Sequence, residues 1–392
     1  MKSPAQTNRA RAEGVVKQRY ASAARVPEVA LCCPVEYNTD YLKIIPPEVI
    51  EKDYGCGDPS RYLMPGETVL DLGSGTGKIC FIAAQAVGSK GRVIGVDMTD
   101  EMLEVARRNA PIVAERLGYA NVEFRKGRIQ DLALDLEVLD RELKSRPISG
   151  TAAFLVANEL AEELRATHPL VADDSVDVVV SNCVLNLVES KSKRRLFEEI
   201  FRVLRKGGRA VISDIVSDEE VPRHLQGDSQ LWSGCISGAL TEDGFLKAFS
   251  DAGFYGIQIL ERCAKPWRTV EGIEFRSVTI QAFKGKQGPC LDRNQAVIYL
   301  GPFKEVLDDD EHRMERGKRY AVCDKTFQLY RKEPYKNFFA FVEPLTEITL
   351  EQAKPFNCSG SGLRHPKQTK GHSYSVTAEG SQCCDGGSGA CC

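Results

Sequence analysis

Residues 68–77 read TVLDLGSGTG, an apolar run that ends in a glycine-rich turn. The apolar part predicts a buried strand, and the segment that follows, TGKICFIAAQAVG, predicts a helix. Glycines in such a turn let the backbone approach a ligand closely and leave the first N–H groups of the helix available. Asp97 ends the next predicted strand, 20 residues after Gly77, where a carboxylate can hold ribose hydroxyls. The turn and Asp97 together predict a ligand that contains a ribose.

Strands and helices alternate from Thr68 onward. The predicted strands are 68–73, 92–97, 121–125, 176–182 and 209–216, with helices after the first, second and fourth of them. Alternation of this kind predicts an α/β fold, built on a mostly parallel, doubly wound, Rossmann-like sheet.

The order of residues in the turn selects between two ligands. A dinucleotide-binding turn reads G-x-G-x-x-G, whereas this turn reads D-x-G-x-G-x-G. Asp71 would repel a pyrophosphate but suits the amino group of a methionine. The turn therefore resembles the first motif of class I S-adenosylmethionine methyltransferases, and S-adenosyl-L-methionine is the expected cofactor. Its expected contacts are Tyr54, Asp71, Gly73, Gly75, Gly77, Asp97, Met98, Ile129, Gln130 and Asn182.

The chain is expected to contain more than this one domain. We expect an N-terminal arm over 1–40, the cofactor-binding domain over 41–265, a smaller α+β domain over 266–354 and a flexible Cys-rich tail over 355–392. Within the cofactor-binding domain, 131–173 reads as an inserted helical hairpin and about 222–242 as a cap. The small domain is indicated by strand-like segments such as Phe275–Phe283, and the tail by its Gly, Ser and Cys content.

Fourteen cysteines are the unusual feature of the composition, against five histidines and five methionines. A small disulfide-stapled fold is not expected, because the chain is long enough to build a core and its N-terminus has no export signal. The sequence contains no pair of CxxC motifs, the pattern that would indicate a structural zinc site. The remaining explanation for the cysteines is that they bind a soft element in a reducing compartment. We therefore expect a cytoplasmic protein. A net charge of −3 and the lack of a long apolar run argue against nucleic-acid and membrane partners.

Three cysteines fall in loops that border the expected ligand site. Cys183 follows the fourth predicted strand, Cys235 lies in the cap, and Cys56 lies between two glycines ahead of the first strand. Ligands of a doubly wound sheet bind outside the carboxyl ends of its strands, so these thiols are expected to face one site. Thiols that arrive from separate loops predict a soft ligand rather than a disulfide.

With these cysteines in view, the sequence resembles the S-adenosylmethionine-dependent arsenite methyltransferases. The matching segments are 54–57 (YGCG), 71–78 (DLGSGTGK), 95–99 (GVDMT), 181–188 (SNCVLNLV) and 232–239 (WSGCISGA). The second and third are common to many methyltransferases, whereas the cysteine-bearing segments are far more specific. The resemblance implies methylation of trivalent arsenic, from arsenite to methylated arsenicals, for arsenic biotransformation and detoxification.

The same resemblance implies a role for each cysteine of the site. Cys183 and Cys235 would hold trivalent arsenic. Cys56 would be a third thiol ligand of the arsenic and would also form a disulfide with a cysteine near residue 32. Cys32 and Cys33 both remain candidates, because the upstream spacing is shorter here than in the family. A thiol reductant, glutathione or thioredoxin, would reset the disulfide, and we expect a monomer.

Two other functions fit parts of the sequence. A class I methyltransferase for a small organic nucleophile would need a base near the methyl group, and His224 in the cap is the candidate. A soft-metal sequestration protein would use the thiols without a cofactor, which the intact glycine turn argues against. Of the other cysteines, Cys80 is expected in the core, and Cys263, Cys290 and Cys323 are expected to have no catalytic role. Cys358 and the later CC pairs are expected in the flexible tail, where they either scavenge the metalloid and pass it inward or are dispensable.

Overall fold

A computed structural model of the chain describes residues 4–26, 28, 35–52, 54–358 and 362–370. The chain divides into a first unit, Met1–Gly285, and a second unit, Lys286–Cys392. Among the described residues, we find no helix whose length and hydropathy would let it span a bilayer.

The first unit is built on a mixed sheet that is parallel over its first five strands. Its helices are α1 (Pro4–Ala23), α2 (Thr39–Leu42), α3 (Pro47–Glu51), α4 (Lys78–Val87), α5 (Asp100–Leu117), α6 (Leu136–Ser145), α7 (Thr151–Thr167), α8 (Ser190–Val203), α9 (Arg223–Gln226), α10 (Ser229–Ser233) and α11 (Glu242–Asp251). Its strands are β1 (Thr68–Leu72), β2 (Arg92–Asp97), β3 (Val122–Lys126), β4 (Val176–Asn182), β5 (Leu204–Ser217), β6 (Leu240–Thr241), β7 (Tyr255–Arg262), β8 (Arg268–Val270) and β9 (Ile273–Phe283). The strand order is β3-β2-β1-β4-β5-β9-β7, with β6 beside β5 and β8 beside β9. The predicted doubly wound α/β sheet is confirmed.

Strand β4 shows how the sheet is buried on both faces. Every residue of β4 is buried. Val178 and Val180 pack in the core cluster that contains Phe81 of α4, whereas Val179 packs in the cluster that contains Phe197 of α8. A nearly continuous apolar run is typical of a parallel strand covered by helices on both faces, which is why the sequence identified this strand.

The strand order places two predicted loops side by side. The chain runs from β1 to β2 on one side and returns to β4 on the other side of β1, with Leu72 paired to Ser181. A ligand crevice forms where the strand order reverses in this way. The glycine turn after β1 and Cys183 after β4 therefore border the same crevice.

Strand β9 corrects the domain boundary. The sequence predicts a boundary after residue 265 and assigns Phe275–Phe283 to the second domain. In the structure β9 pairs antiparallel with β5 along nine residues, from Arg209 opposite Phe283 to Ser217 opposite Phe275. The first unit therefore ends at Gly285. A local pattern identifies a strand but does not identify its partner, so the sequence alone places the boundary too early.

The N-terminal arm also differs from its prediction. The sequence predicts only an N-terminal arm over 1–40, whereas the structure contains the 20-residue helix α1 within that range. The end of α1 is buried, since Ala23 and Ala24 pack with Met102 of α5. A helix that packs through small and polar side chains shows little hydrophobic periodicity, and the sequence therefore gave no signal for it.

The second unit consists of short strands around a small aromatic core. Its elements are β10 (Leu291–Asp292), β11 (Ala296–Tyr299), β12 (Glu305–Leu307), β13 (Arg313–Glu315), β14 (Arg319–Ala321), α12 (Asp324–Tyr330), β15 (Phe339–Val342), β16 (Lys354–Pro355) and α13 (Pro366–Lys370). Strand β11 lies between β14 and β15, and the rings of Tyr330 and Phe339 stack at 4.4 Å in the core.

The predicted flexible tail over 355–392 is wrong in its first part. Strand β16 pairs with β10, and Arg364 is buried with its guanidinium on the carboxylate of Asp292. Residues up to Lys370 thus belong to the second unit. An arginine paired to a carboxylate can bury a segment of low apolar content, which composition does not reveal. Cysteines 383, 384, 391 and 392 lie outside the described residues.

Candidate active site

A cavity of about 330 Å³ lies at the carboxyl edge of the parallel strands of the first unit. It is lined by Gly73 and Gly75 after β1, Asp97 and Met98 at the end of β2, Ile129 and Gln130 after β3, Cys183 and Val184 after β4, Tyr54, and Glu13, Val16 and Tyr20 of α1. This volume suits a small-molecule ligand.

The glycine turn and Asp97 form one wall of the cavity. The Gly75 N–H donates to Oδ2 of Asp97 at 2.9 Å, and the Thr99 N–H donates to Oδ1 at 2.8 Å. Burial raises the pKa of Asp97 above its ordinary value, although these two N–H groups act in the opposite direction. Gly73 has φ +70°, and a Cβ there would lie 2.4 Å from Cγ1 of Val184. The turn thus holds a carboxylate at the cavity and excludes any side chain at Gly73.

Three predicted cofactor contacts lie outside the described lining of the cavity. Asp71 is buried, and its Oδ2 accepts a hydrogen bond from Cys80 Sγ at 3.2 Å. Gly77 starts helix α4 with φ +93°. Asn182 instead holds the loop of Cys56: its Oδ1 accepts from the Cys56 N–H at 2.9 Å, and its Nδ2 donates to the Gly57 carbonyl at 2.7 Å.

The three predicted thiols meet beside the cavity. Cys56, Cys183 and Cys235, called here the active-site cysteine cluster, are all buried and share one core cluster. Cys235 Sγ lies 3.1 Å from the Cys183 carbonyl oxygen. The Cys183 thiol is hydrogen-bonded to both other thiols, and Cys183 also lines the cavity. The cluster is therefore continuous with the wall of the predicted cofactor site.

Backbone conformation and pKa both mark Cys183 and Cys235 as unusual. Their φ angles are +64° and +63°, a left-handed conformation that is costly for residues with a Cβ and that recurs at functional sites. The hydrogen bond with Cys183, together with burial, raises the pKa of Cys235 well above its ordinary value. For Cys183 the hydrogen bond from Cys235 lowers the pKa, but the bond with Cys56 and burial raise it well above the usual range. Both groups are neutral thiols near neutral pH.

A buried polar network joins the turns that carry these two cysteines. The Asn186 Nδ2 donates to Oδ1 of Asp214 at 2.9 Å and to the Cys235 carbonyl at 3.3 Å. The Lys193 Nζ donates to Oδ1 of Asn186 at 3.2 Å and to the Gly238 carbonyl at 2.6 Å. Burial lowers the pKa of Lys193 to about 8 and raises that of Asp214 to about 6. The network fixes the distance between the two cysteine turns.

The chain is similar in sequence to known proteins along most of its length. The chain is 32% identical to an arsenite methyltransferase of Aquipseudomonas alcaligenes over 374 residues, which cover 91% of this chain and 94% of that relative. It is 27% identical to the arsenite methyltransferase of Rattus norvegicus, over 91% of this chain and 88% of the relative. The chain belongs to the arsenite methyltransferase family.

Family models and a solved structure agree with this membership. A methyltransferase domain model matches residues 63–145 and 156–253, and a model described as a domain of unknown function (DUF8838) matches 286–374. The crystal structure of an arsenic(III) S-adenosylmethionine methyltransferase from Chlamydomonas reinhardtii has a TM-score of 0.53 at 29% identity, covering 83% of this chain and 100% of that chain. The present chain is therefore a methyltransferase, and its cofactor is S-adenosylmethionine. The cavity fits that cofactor, since Asp97 keeps free acceptor capacity for ribose hydroxyls and Met98 and Ile129 offer apolar surface for an adenine.

Helix α1 contributes to the active site of this arsenite methyltransferase family member, and the sequence did not signal it. Tyr20 contacts the cavity and is hydrogen-bonded to the Cys235 thiol, and burial raises its pKa well above the ordinary value. Arg19 Nη1 donates to Ser233 Oγ of the cap at 2.7 Å. The Tyr54 hydroxyl donates to the Ala23 carbonyl at 3.1 Å. These bonds hold α1 against the cavity and the cap.

Other sequence predictions take different places. Cys32 and Cys33 lie outside the described residues. His224, the candidate base for an organic substrate, is exposed and pairs with Glu271 at 2.7 Å rather than contacting the cavity. Lys193 lies in the basic run 191–195 (KSKRR), a pattern that usually forms a solvated helix face, yet it is buried in the network. Charge alone does not separate Lys193 from its exposed neighbours. The signal that could have found it is its helical spacing from Leu196 and Ile200, which places it on the buried face of α8.

Proposed function

We propose that this chain methylates trivalent arsenic, with arsenic held by the thiols of Cys183 and Cys235. The proposal depends on one observation above all: Cys183 belongs both to the active-site cysteine cluster and to the wall of the cofactor cavity. A soft element bound there would lie next to the cofactor. Thiols are the ligands that such an element prefers.

Binding of the substrate requires neutral thiols and a dry site, and the cluster provides both. Arsenite exchanges two hydroxyl groups for the two sulfur atoms, and the thiol protons leave with them as water. The raised pKa values of Cys183 and Cys235 keep these protons available. Burial of the cluster, with Tyr20 of α1 beside it, limits the access of bulk water.

Orientation is the principal contribution of the protein to this reaction. When bound, S-adenosylmethionine supplies a methyl group on a positively charged sulfonium, and arsenic, whose lone pair carries no proton, accepts that group without a general base. The described lining of the cavity contains no histidine, in keeping with such a reaction. The strained turns at Cys183 and Cys235 and the network around Asn186 fix the position of the ligand sulfurs. Positioning of this kind can supply a large part of a rate enhancement.

A disulfide would complete the cycle. Arsenic that has accepted a methyl group is formally pentavalent, and its return to the trivalent state takes two electrons. Oxidation of Cys56 together with Cys32 or Cys33 to a disulfide supplies both electrons and releases two protons. Glutathione or thioredoxin would then reduce the disulfide. We place this chemistry in the cytoplasm, in a monomer that turns arsenite into methylated arsenicals for detoxification.

The alternatives predict different products. A methyltransferase for a small organic nucleophile would methylate an organic substrate and would depend on His224, which contacts Glu271 instead of the cavity. A sequestration protein would bind arsenite in stoichiometric amounts regardless of S-adenosylmethionine. Neither alternative accounts for thiols placed on the cofactor wall.

The test is a time course with arsenite, S-adenosylmethionine and glutathione, in which methylated arsenicals are separated and quantified. We expect methylarsenicals from the full chain and a loss of roughly 100-fold or more in kcat/KM for Cys183→Ser and for Cys235→Ser. Cys263→Ser is the matched control, because Cys263 is exposed and should be neutral. Well-folded protein that forms no methylarsenicals would contradict the proposal. Multiple turnovers by Cys56→Ser would remove the disulfide step alone.

A further inference from the structure

Three cysteines of the second unit also come together, and none of them serves the reaction above. Cys290, Cys323 and Cys358, called here the second-unit cysteine cluster, have Sγ atoms that all lie within 4.8 Å of one another. All three are free thiols. They come from separate segments of the chain: Cys290 directly precedes β10, Cys323 directly precedes α12, and Cys358 follows β16.

Backbone pairing builds this cluster. Strands β10 and β16 are antiparallel, with Leu291 opposite Pro355. Beyond this pair the Phe356 N–H donates to the Cys290 carbonyl at 2.8 Å. The ladder thereby sets the spacing of Cys290 and Cys358, even though they are distant in sequence.

Cys323 is fixed by the start of helix α12. It is buried, and its Sγ lies 3.4 Å from the Thr326 N–H nitrogen and 3.2 Å from Thr326 Oγ1. Lys325 of the same helix places its ammonium beside Cys290. The cluster therefore has one buried, oriented thiol and two partly exposed thiols that a ligand can reach from solvent.

The number of donors selects the ligand class. Structural Zn²⁺ is almost always held by four ligands, and among the residues that the structure describes no fourth Cys, His, Asp or Glu joins this group. A disulfide would need two thiols and would leave the third unexplained. Trivalent arsenic completes its coordination with three sulfurs and a lone pair, and thiolates are the donors that soft elements prefer.

We propose that Cys290, Cys323 and Cys358 form a three-thiolate binding site for arsenite, in addition to the site of methyl transfer. Arsenite and three thiols give three As–S bonds and three water molecules, with no transfer of electrons. The inference takes its ligand from the proposed function, but its residues are all different from those of the reaction.

Three sulfurs also give this site a preference among arsenicals. Methylarsenite has two exchangeable oxygens and dimethylarsenite has one, so that each methyl group removes one As–S bond. The second-unit cysteine cluster therefore binds unmethylated arsenite more tightly than the methylated forms, and so favours substrate over product.

The test counts bound arsenic in full-length protein by equilibrium dialysis and elemental analysis. All samples carry Cys383→Ser, Cys384→Ser, Cys391→Ser and Cys392→Ser, which remove the adjacent thiols near the C-terminus. We compare this background with Cys183→Ser/Cys235→Ser, with Cys290→Ser/Cys358→Ser, and with Cys263→Ser as the control. Cys323 is left intact because it is buried at the start of α12.

The expected result is a second tightly bound arsenic that persists in Cys183→Ser/Cys235→Ser, is lost in Cys290→Ser/Cys358→Ser and is unaffected by Cys263→Ser. Cys290→Ser/Cys358→Ser should keep its methylation rate at saturating arsenite, whereas failure of the proposed function would abolish methylation in every sample. Methylarsenite should bind the Cys183→Ser/Cys235→Ser protein about tenfold more weakly than arsenite, or weaker still. Equal affinity for both arsenicals would overturn the proposal.

A second measurement does not depend on changes at the cluster. X-ray absorption at the arsenic edge on Cys183→Ser/Cys235→Ser protein should show three sulfur neighbours and no oxygen. A shell with two sulfurs and an oxygen would overturn the three-thiolate site. Stoichiometric zinc in the purified protein that arsenite fails to displace would overturn it as well, in favour of a structural metal.

Discussion

The two cysteine clusters each contain three thiols but differ in what surrounds them. The active-site cysteine cluster borders a cofactor cavity, and two of its members have φ near +64°. The second-unit cysteine cluster has a relaxed backbone at Cys323, with φ −69°, and is assembled by a short ladder. Cysteines held in a strained backbone conformation by a hydrogen-bond network suit a reaction in which the bound atom must be held in a defined position. Cysteines in a relaxed backbone conformation are sufficient for binding alone.

The largest expected effect separates cofactor binding from arsenic binding. Asp97→Ala removes the carboxylate that faces the cavity and the acceptors of the Gly75 and Thr99 N–H groups. We expect kcat/KM for S-adenosylmethionine to fall about 100-fold, as hydrogen bonds to a charged group are worth about 1.5–3 kcal/mol each. Steady-state kinetics measure this. Arsenite binding by both clusters should be unchanged.

A matched control lies close by in sequence. Asp100 starts α5, has an exposed side chain that pairs with Lys126, and is not part of the described lining of the cavity. Asp100→Ala should change kcat/KM by less than about twofold. Loss of arsenite binding in Asp97→Ala would break the comparison, because it would make the active-site cysteine cluster dependent on the cofactor wall.

The next effect tests whether bracing distinguishes the two clusters. Lys193→Met leaves the Asn186 side-chain oxygen and the Gly238 carbonyl without the ammonium that donates to them. We expect a loss of about 2 kcal/mol in the free energy of unfolding and a decrease of about tenfold in kcat. Denaturant unfolding and initial rates measure the two quantities.

Arg194→Met is the control for this prediction, since Arg194 is the exposed neighbour on α8 and pairs only with Glu198 among the residues described. Its free energy of unfolding should lie within about 0.5 kcal/mol of that of the unsubstituted protein. Arsenite binding by the second-unit cysteine cluster should be the same in both variants. A Lys193→Met protein with full kcat would show that the strained turns need no network to hold them.

The same comparison shows what a sequence can reveal. Strands β1, β2 and β4, the glycine turn, Asp97 and Cys183 were predictable because each lies in a locally apolar strand or directly at its end. Their positions follow from the rule that parallel strands align their carboxyl ends. The grouping of Cys56 and Cys235 with them came from the resemblance to a family and from loop positions, and the structure brings these thiols together.

What was missed depends on partners that are distant in the chain. Strand β9 reads as a strand, but nothing near it indicates pairing with β5. Cys290 and Cys358 are joined by two-residue strands that are too short for alternation to be visible. Helix α1 packs through alanines and polar side chains, so that it lacks an apolar stripe. In each case the deciding free energy comes from long-range contacts and not from local preference.

The smallest expected effect concerns pH at the active-site cysteine cluster. Arsenite binding consumes neutral thiols, so affinity falls as pH rises through the pKa of the thiols. Two ordinary thiols of pKa about 8.5 would be half ionised at that pH and would lose about fourfold in affinity relative to pH 7. Burial and the mutual hydrogen bonds raise the pKa of Cys183 and Cys235 well above this value, so their affinity should stay constant. Equilibrium dialysis measures this affinity between pH 7 and about 8.5. The protein used is Cys290→Ser/Cys358→Ser, with the four cysteines near the C-terminus also changed to serine. A synthetic peptide of residues 380–390, whose two thiols are expected to titrate normally, should show the fourfold decline. If the arsenite affinity of the protein declines in parallel with that of the peptide, the buried thiols ionise like exposed ones. Protonation of the thiols would then not explain arsenite binding by the active-site cysteine cluster.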